Sequence, residues 1–239
     1  MVEALDSRID PEHLPRHIAV IMDGNGRWAK KHGIQRIEGH EAGAASVRRV
    51  TEACRELGVP ALTLYAFSTE NWRRSKMEVS GLFRLMSKYI RQEIDALDKN
   101  NVRVRFMGRM ERLPKNAADD LVYCMERTKG NTALSLNVAV NYGGRAARRI
   151  AEQAAKGELD PASLSEEEFA RHLYLPEYAE VDLLIRTSGE LRISNFMLWQ
   201  LSYAEIVAPS VLWPDFSKQD LCDAILNYQC RSRRFGGRP

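Results

Sequence analysis

No stretch of this sequence approaches the roughly 20 consecutive apolar residues of a membrane span, and it has no internal repeat or low-complexity linker. Only four cysteines occur, at 54, 124, 222 and 230, with no CxxC spacing. That argues against a disulfide-stapled scaffold or a structural zinc site and predicts reduced core thiols. Charge of one sign is also lacking. A net charge of +3 with 28% charged residues gives no polyelectrolyte footprint, and no nucleic-acid partner is expected. The opening MVEALDSRIDPEHLP is polar and acidic, without the apolar core of a signal peptide. Residues 1–14 are expected to be a flexible N-terminal segment, and the protein reads as cytoplasmic.

What is present suits one α/β domain over residues 1–239. At 44% hydrophobic, the chain has enough apolar surface for a full core. Strand-like runs fall at 18–22, 61–66, 102–107, 133–140, 182–186 and 204–207, separated by helical stretches at 40–57, 79–99, 114–129, 145–156, 165–173 and 217–231. Such alternation predicts a mostly parallel central sheet flanked by helices. Within it, GELDPASLSEEE predicts a surface loop entering a short helix, with Ser165 as N-cap and Glu168 completing a capping box. Ligands of such sheets gather at the carboxyl ends of the strands. Four polar segments follow strands here: 23–27, 67–74, 141–145 and 186–194.

The most informative segment is HIAVIMDGNGRW at 17–28, a β-branched strand that ends in glycines expected to form a tight loop. Gly24 and Gly26 let backbone N–H groups approach a ligand, and Arg27 adds a forked cation suited to phosphate oxygens. Asp23 does not fit a plain anion cradle, because a carboxylate repels phosphate unless a divalent cation lies between them. The loop therefore predicts a metal-bridged diphosphate. The segment also matches GxGxxA, but a dinucleotide site wants an acidic residue about 20 positions later at the end of the second strand. The second strand ends near Phe67, too far along.

RTSGELRIS at 186–194 places Arg186, Ser188, Arg192 and Ser194 after a strand, a second phosphate site of the bidentate kind guanidinium groups favour. Glu205, a carboxylate on an apolar strand, is the natural second acid for Asp23. FSTENWRR at 67–74 packs hydroxyls, a carboxylate, an amide, an indole and two arginines together, and the span to Lys76 reads as a mobile lid that Trp72 helps to close. His40, near Arg36 and Arg27, is either a cap or a ligand. His13 and His17 are four apart, but Pro15 breaks the helix a metal pair would need. The amphipathic stretch 79–99 is either ordinary core or the wall of a hydrocarbon channel, and periodicity does not separate the two.

HIAVIMDGNGRWAK, EGHEAGAASVRRV, YAFSTENWRR, NYGGR, DLLIRTSGELRISNFMLWQ and VLWPDF together resemble the cis-prenyltransferases, specifically the bacterial undecaprenyl diphosphate synthases. The resemblance runs over roughly residues 15–237 with the motifs in family order, and the DDxxD helices of trans-prenyltransferases are absent. It implies a homodimer with an elongated hydrophobic tunnel beside the sheet. It also implies condensation of isopentenyl diphosphate onto an allylic diphosphate, farnesyl diphosphate, to a long cis-polyprenyl diphosphate, the C55 carrier lipid.

By matching position, the resemblance implies that Asp23 and Glu205 hold Mg²⁺ and that Gly24, Asn25, Gly26, Arg27, Trp28, Arg36 and His40 bind the allylic diphosphate. Arg186, Arg192, Ile193 and Ser194 then take isopentenyl diphosphate. Ser68, Thr69, Glu70, Asn71, Trp72 and Arg74 form the lid and its substrate contacts, with Asn71 at the position assigned as proton acceptor. An amide is a poor base, so a diphosphate oxygen oriented by Asn71 is the better acceptor. The tail Arg234-Phe235-Gly236 resembles one that reaches across the dimer, and release of a long apolar product implies peripheral membrane contact. Product length would depend on residues such as Gly81, Leu85 and Leu136. Three rival readings are a cis-prenyltransferase of another product length, a non-catalytic subunit, which should have lost Asp23, Arg27, Arg186 and Arg192, and a generic phosphate-binding module, against which the 67–74 lid argues. Three local departures from the family pattern stand out: a shortened segment after GGR, Ser75 in place of proline, and Val207-Ala208-Pro209 before VLWPDF.

Overall fold

A computed structural model describes residues 6–144, 152–160, 164–178 and 180–231. Six parallel strands form one sheet: β1 (His17–Ile21), β2 (Ala61–Ser68), β3 (Val102–Met107), β4 (Leu134–Tyr142), β5 (Leu183–Arg186) and β6 (Glu205–Val207). Their order is β3-β4-β2-β1-β5-β6. Every residue of β1 is buried, as a run of apolar side chains covered on both faces requires. The order reverses at β1, where β2 pairs on one side and β5 on the other, with Ile21 opposite Arg186. A crevice at the carboxyl ends therefore opens between β1 and β5.

The helices are α1 (Asn25–Lys31), α2 (Arg36–Leu57), α3 (Lys76–Lys99), α4 (Lys115–Arg127), α5 (Glu166–Arg171) and α6 (Lys218–Gln229). α2 begins on a reciprocal Gln35–Glu38 capping box. Ser75 caps α3 by accepting the Glu78 N–H, a role proline cannot fill. Ser165 caps α5 in the same way, but the expected reciprocal bond from Glu168 is replaced by an ion pair with Arg171 at 2.8 Å. Of the stretch expected as a helix at 145–156, residues 152–155 are helical and 145–151 lie outside the described residues. The tail at Arg234–Gly236 lies outside them too.

Residues 6–14 pack against the domain. Ile9 is buried in the main core, and Asp10 and His13 accept hydrogen bonds from Gln229 through their carbonyls. That core holds the aliphatic side chains of one sheet face against α2, α3 and α6. The other face is polar near the strand starts and aromatic near their ends. There the His17 imidazole donates from Nδ1 to the Glu180 carbonyl at 2.9 Å and accepts at Nε2 from the Thr63 hydroxyl at 2.7 Å. Asn137 extends this ladder by donating to Thr63 Oγ1 at 3.1 Å. Burial keeps this imidazole neutral, pushing its pKa down to about 4. The four cysteines are free thiols, with only Cys230 exposed.

Candidate active site

The chain leaves β1 by a sharp turn. The Asp23 N–H bonds the Ile21 carbonyl at 2.9 Å, and Gly24 adopts φ +112°, which an L side chain avoids. A Cβ there would also lie 2.5 Å from Ser188 Oγ. The expected loop is instead a helix: Asn25 through Trp28 form the first turn of α1, because the left-handed Gly24 redirects the chain within one residue. Gly26 in turn makes room for the Arg36 guanidinium, whose Nε would sit 2.8 Å from an added Cβ.

Asp23 is clamped by both of the predicted phosphate loops. Its carboxylate meets Arg186 Nη2 at 3.0 Å and Arg27 Nη2 at 3.1 Å. Its carbonyl accepts from Thr187 Oγ1 at 2.6 Å and Ser188 Oγ at 3.0 Å. Burial works against ionisation of Asp23, but the hydrogen bonds and charges of Arg186 and Arg27 outweigh it and hold the carboxyl below its ordinary pKa. Arg186 is only 6% exposed and donates from Nη1 to Ser194 Oγ at 2.8 Å and to the Arg192 carbonyl, leaving a buried Nε without a partner. Glu190, which no sequence motif singled out, bridges Arg27 at 3.5 Å and Arg192 at 2.6 Å.

A second cluster faces the first. Glu78 on α3 pairs with Arg74 at 3.0 Å and Arg36 at 3.7 Å. His40 stands beside them, its pKa lowered to about 4 first by burial and then by the charges of Arg74 and Arg36, with Glu78 opposing. It is therefore a neutral imidazole at pH 7, with a buried Nε2 lacking a partner. The Arg74–Glu78 pair was legible as an i,i+4 spacing at the head of α3.

The segment expected as a lid is a short 3-10 helix, Thr69–Arg73. Asn71 Oδ1 accepts the Ser68 N–H at 3.0 Å. Trp72 does not close over the site. Its indole donates to Asn141 Oδ1 at 2.7 Å, and its ring packs on Phe67 and Phe83 with Arg112 over the face.

These elements enclose a cavity of about 730 Å³. Asp23, Asn25, His40, Ser68, Glu70, Asn71, Arg74, Arg186 and Ser194 line it, joined by the unforeseen Asn195. Its remaining wall is largely apolar, with Leu82, Leu85, Met86, Tyr89, Ile90 and Leu97 of α3 facing Leu64, Val104, Leu121, Leu136 and Val138. On α3, Ile94 is core, and Phe83 is both buried core and part of the cavity wall. Gly81 instead abuts Ile37.

Several expected site residues lie off the cavity wall. Gly24 and Gly26 shape the backbone, Arg27 and Arg192 join the charged cluster through Asp23 and Glu190, and Arg36 joins it through Glu78. Thr69 sits against Gly143, and Ile193 packs on the aromatic core. Trp28 turns away, donating to Asp215 Oδ1 at 2.7 Å and stacking on His32. Glu205 is not brought to Asp23 within one chain. It lies opposite Leu183, three residues before Arg186, or about 10 Å back at ~3.3 Å per strand residue. It pairs there with Arg231 at 2.5 Å. The apolar strand that made it look like a site acid is a solvent-accessible edge strand of three residues.

Within one chain Asp23 is therefore the acid left for a metal. Among the described residues no three His, Cys, Asp or Glu side chains converge on a metal site. Asp23 and the buried, unpartnered Asn25 Oδ1 are oxygen donors on the cavity wall. That donor set fits Mg²⁺, which keeps waters and takes its remaining ligands from substrate phosphates.

Residues 21–236 match the family described as "Putative undecaprenyl diphosphate synthase". The isoprenyl transferase of Heliobacterium mobile is 48% identical over 240 residues, covering 98% of this chain and 92% of that protein. The ditrans,polycis-undecaprenyl-diphosphate synthase ((2E,6E)-farnesyl-diphosphate specific) of Vibrio vulnificus is 46% identical, covering 97% of this chain and 94% of that protein. Among solved structures, lavandulyl diphosphate synthase from Lavandula x intermedia in complex with dimethylallyl diphosphate superposes with a TM-score of 0.89 at 37% identity, covering 94% of this chain and 99% of that one. With that match running from the end of β1 almost to the C-terminus, the chain belongs to the undecaprenyl diphosphate synthase family of prenyltransferases.

Proposed function

We propose that this enzyme extends farnesyl diphosphate with isopentenyl diphosphate by cis condensation, giving a long polyprenyl diphosphate of C55 length. One observation carries the reading: a single cavity joins the Asp23–Arg186–Arg27 cluster to an apolar wall. That wall follows α3 from Leu82 to Leu97, about 22 Å at 1.5 Å per residue. A charged head and a greasy tail require that combination. The cavity is then the upper part of an elongated hydrophobic tunnel for the growing chain.

In this reading Arg27, Arg36 and His40 hold the allylic diphosphate beside Asp23, with the backbone shaped by Gly24 and Gly26 and anchored by Asn25 and Trp28. Arg186, Arg192 and Ser194 hold isopentenyl diphosphate, with Ile193 at their back. Mg²⁺ bound at Asp23 supplies charge neutralisation for the departing diphosphate. The guanidiniums now paired with Asp23 exchange partners for diphosphate oxygens as substrate enters, which keeps them desolvated and preoriented. The allylic C–O bond breaks, the isopentenyl double bond forms the new C–C bond, and a proton leaves the isopentenyl carbon. Asn71 Oδ1 already accepts the Ser68 N–H, so this amide orients rather than removes the proton. A diphosphate oxygen takes it. Ser68, Thr69, Glu70, Trp72 and Arg74 frame the lid.

A homodimer is supported by exposed Leu191, Leu198, Trp199 and Tyr203 near the short edge strand β6. Peripheral membrane contact at product release is supported by Met77, 82% exposed beside Arg73 and Lys76. No helix among the described residues is long and apolar enough to cross a membrane. Free thiols suit a cytoplasmic location. The direct test incubates purified protein with Mg²⁺, farnesyl diphosphate and labelled isopentenyl diphosphate and sizes the products. C55 chains that vanish on adding EDTA are expected. Absence of incorporation overturns the catalytic reading, and shorter chains overturn the assigned length.

A further inference from the structure

The Asn195 side chain joins two segments that the sequence keeps 125 residues apart. Its Nδ2 donates to Glu70 Oε1 at 3.0 Å, and Glu70 lies in the lid turn Thr69–Arg73. The residue before it, Ser194, accepts from Arg186 Nη1 at 2.8 Å. A lid residue is therefore bonded to a neighbour of the second diphosphate site.

The two sides of this bond differ in rigidity. On the Asn195 side the backbone is cross-braced. Ser194, Asn195 and Met197 have φ of +47°, +61° and +42°, a conformation that L residues hold only when their surroundings over-determine it. The Asn195 carbonyl accepts the Gly144 N–H at 2.6 Å, the Tyr65 hydroxyl donates to the Ser194 carbonyl at 3.4 Å, and Phe196 stacks on Tyr65 with centroids 4.3 Å apart. On the lid side, five residues of 3-10 helix carry few long-range anchors. Glu70 reaches Asn195, and Trp72 reaches Asn141 through its indole N–H and Phe83 and Arg112 through its ring. Burial opposes ionisation of Glu70, yet the Asn195 bond and those of neighbouring hydroxyls keep its pKa below the ordinary value, so it is an anionic acceptor at neutral pH.

We propose that Asn195 is a positioning residue that tethers the lid through Glu70 to the loop holding isopentenyl diphosphate, so that lid position and second-substrate binding are coupled. The substrate class rests on the function proposed above; the tether itself rests on the Asn195–Glu70 geometry. Isoprenoid diphosphates bring acceptors but no N–H donors. Nδ2 is thus the Asn195 group that a diphosphate oxygen can compete for, and Glu70 holds it until that site fills.

The test reverses the bond. Asn195→Asp sets two carboxylates against each other, while adding Glu70→Gln to it restores a donor–acceptor pair with the roles exchanged. Two readouts apply to the full-length protein: trypsin cleavage after Arg73 and Arg74 without substrate, and the steady-state constants for each substrate. Asn195→Asp should speed lid cleavage about tenfold and raise KM for isopentenyl diphosphate about tenfold, with KM for farnesyl diphosphate changed by less than about threefold. The double variant should recover most of both effects. Glu70→Ala cuts the same bond from the lid side and reports on it should Asn195→Asp melt at a clearly lower temperature. Cleavage and KM like the unmodified enzyme in Asn195→Asp and Glu70→Ala, or no recovery in the double variant, overturns the tether. If the unmodified enzyme incorporates no isopentenyl diphosphate, the proposed function fails, and the cleavage comparison still decides the tether.

Discussion

The two ends of the cavity are built by opposite means. At the charged end, side chains from α1, α2, the lid and the 186–195 loop hold one another through ion pairs, and Arg186 Nε, His40 Nε2 and the Asn25 and Asn195 amide oxygens are left buried without partners. At the apolar end, α3 and the strands face each other with aliphatic side chains that leave space between them. A buried polar atom without a protein partner costs free energy that a ligand or an ordered water recovers, whereas an apolar gap merely forfeits contacts. The charged end is therefore shaped for a particular ligand chemistry, and the apolar end only for size. Changes at the first should alter rate, and changes at the second should alter product.

Asp23→Ala should give the largest effect, lowering turnover on the order of a hundredfold or more in an incorporation assay while the chain stays folded by circular dichroism. Near-normal turnover would remove Asp23 from the metal role and with it the distinction between the two ends. Leu136→Trp adds bulk to the apolar wall. Chains shorter than those of the unmodified enzyme, with an initial rate within about threefold, are expected on a product-sizing gel, since overpacking at one wall leaves the charged end untouched. Unshortened chains would mean that the growing tail takes another path.

Two neutral imidazoles, His40 at the charged end and His17 on the far sheet face outside the cavity, make stability depend on pH. Each is held at a folded pKa of about 4, against 6.5 for a free histidine. Between those values the unfolded chain binds more protons, so their stabilisation is complete above about pH 6.5 and is lost as pH falls towards 4. The melting temperature should drop over that window, and His17→Gln and His40→Gln should each flatten the slope by up to about one proton. Unchanged slopes would mean that these sites admit protons freely. The smallest effect is expected from Trp72→Phe. It keeps ring packing on Phe67 and Phe83 but loses the Asn141 bond, which should raise lid cleavage by trypsin about two- to fivefold. An unchanged cleavage rate would mean that the Trp72–Asn141 hydrogen bond does not anchor the lid.

Much of the fold was legible in advance. All six strands lie within two residues of their apolar runs, because β-branched segments bounded by Gly, Pro and Asn leave little choice of conformation. The charged loops that meet at Asp23 were legible as polar strand-end segments too, since Asp, Gly and Arg there carry their chemistry in composition. What misled was context. Trp72 looked as if it would close over the site because its neighbours are polar, yet its ring packs on Phe67 and on Phe83 of α3. Glu205 looked buried on an apolar strand, but that strand is an edge. Glu190 and Asn195 lie inside the 182–200 segment, but their pairing with Arg27 and Glu70 could not be read because those partners are remote in sequence.

The amino-acid sequence by itself determined a parallel α/β sheet with glycine- and arginine-bearing loops at its carboxyl edge, because local periodicity and residue chemistry suffice for both. Only the tertiary structure decided which arginines clamp Asp23, where Glu205 falls, which face of α3 walls the cavity, and what holds the lid. Those outcomes depend on strand order and register, which bring together side chains more than 100 residues apart. Such long-range pairing is a property of the folded whole and leaves no periodicity in the chain to read.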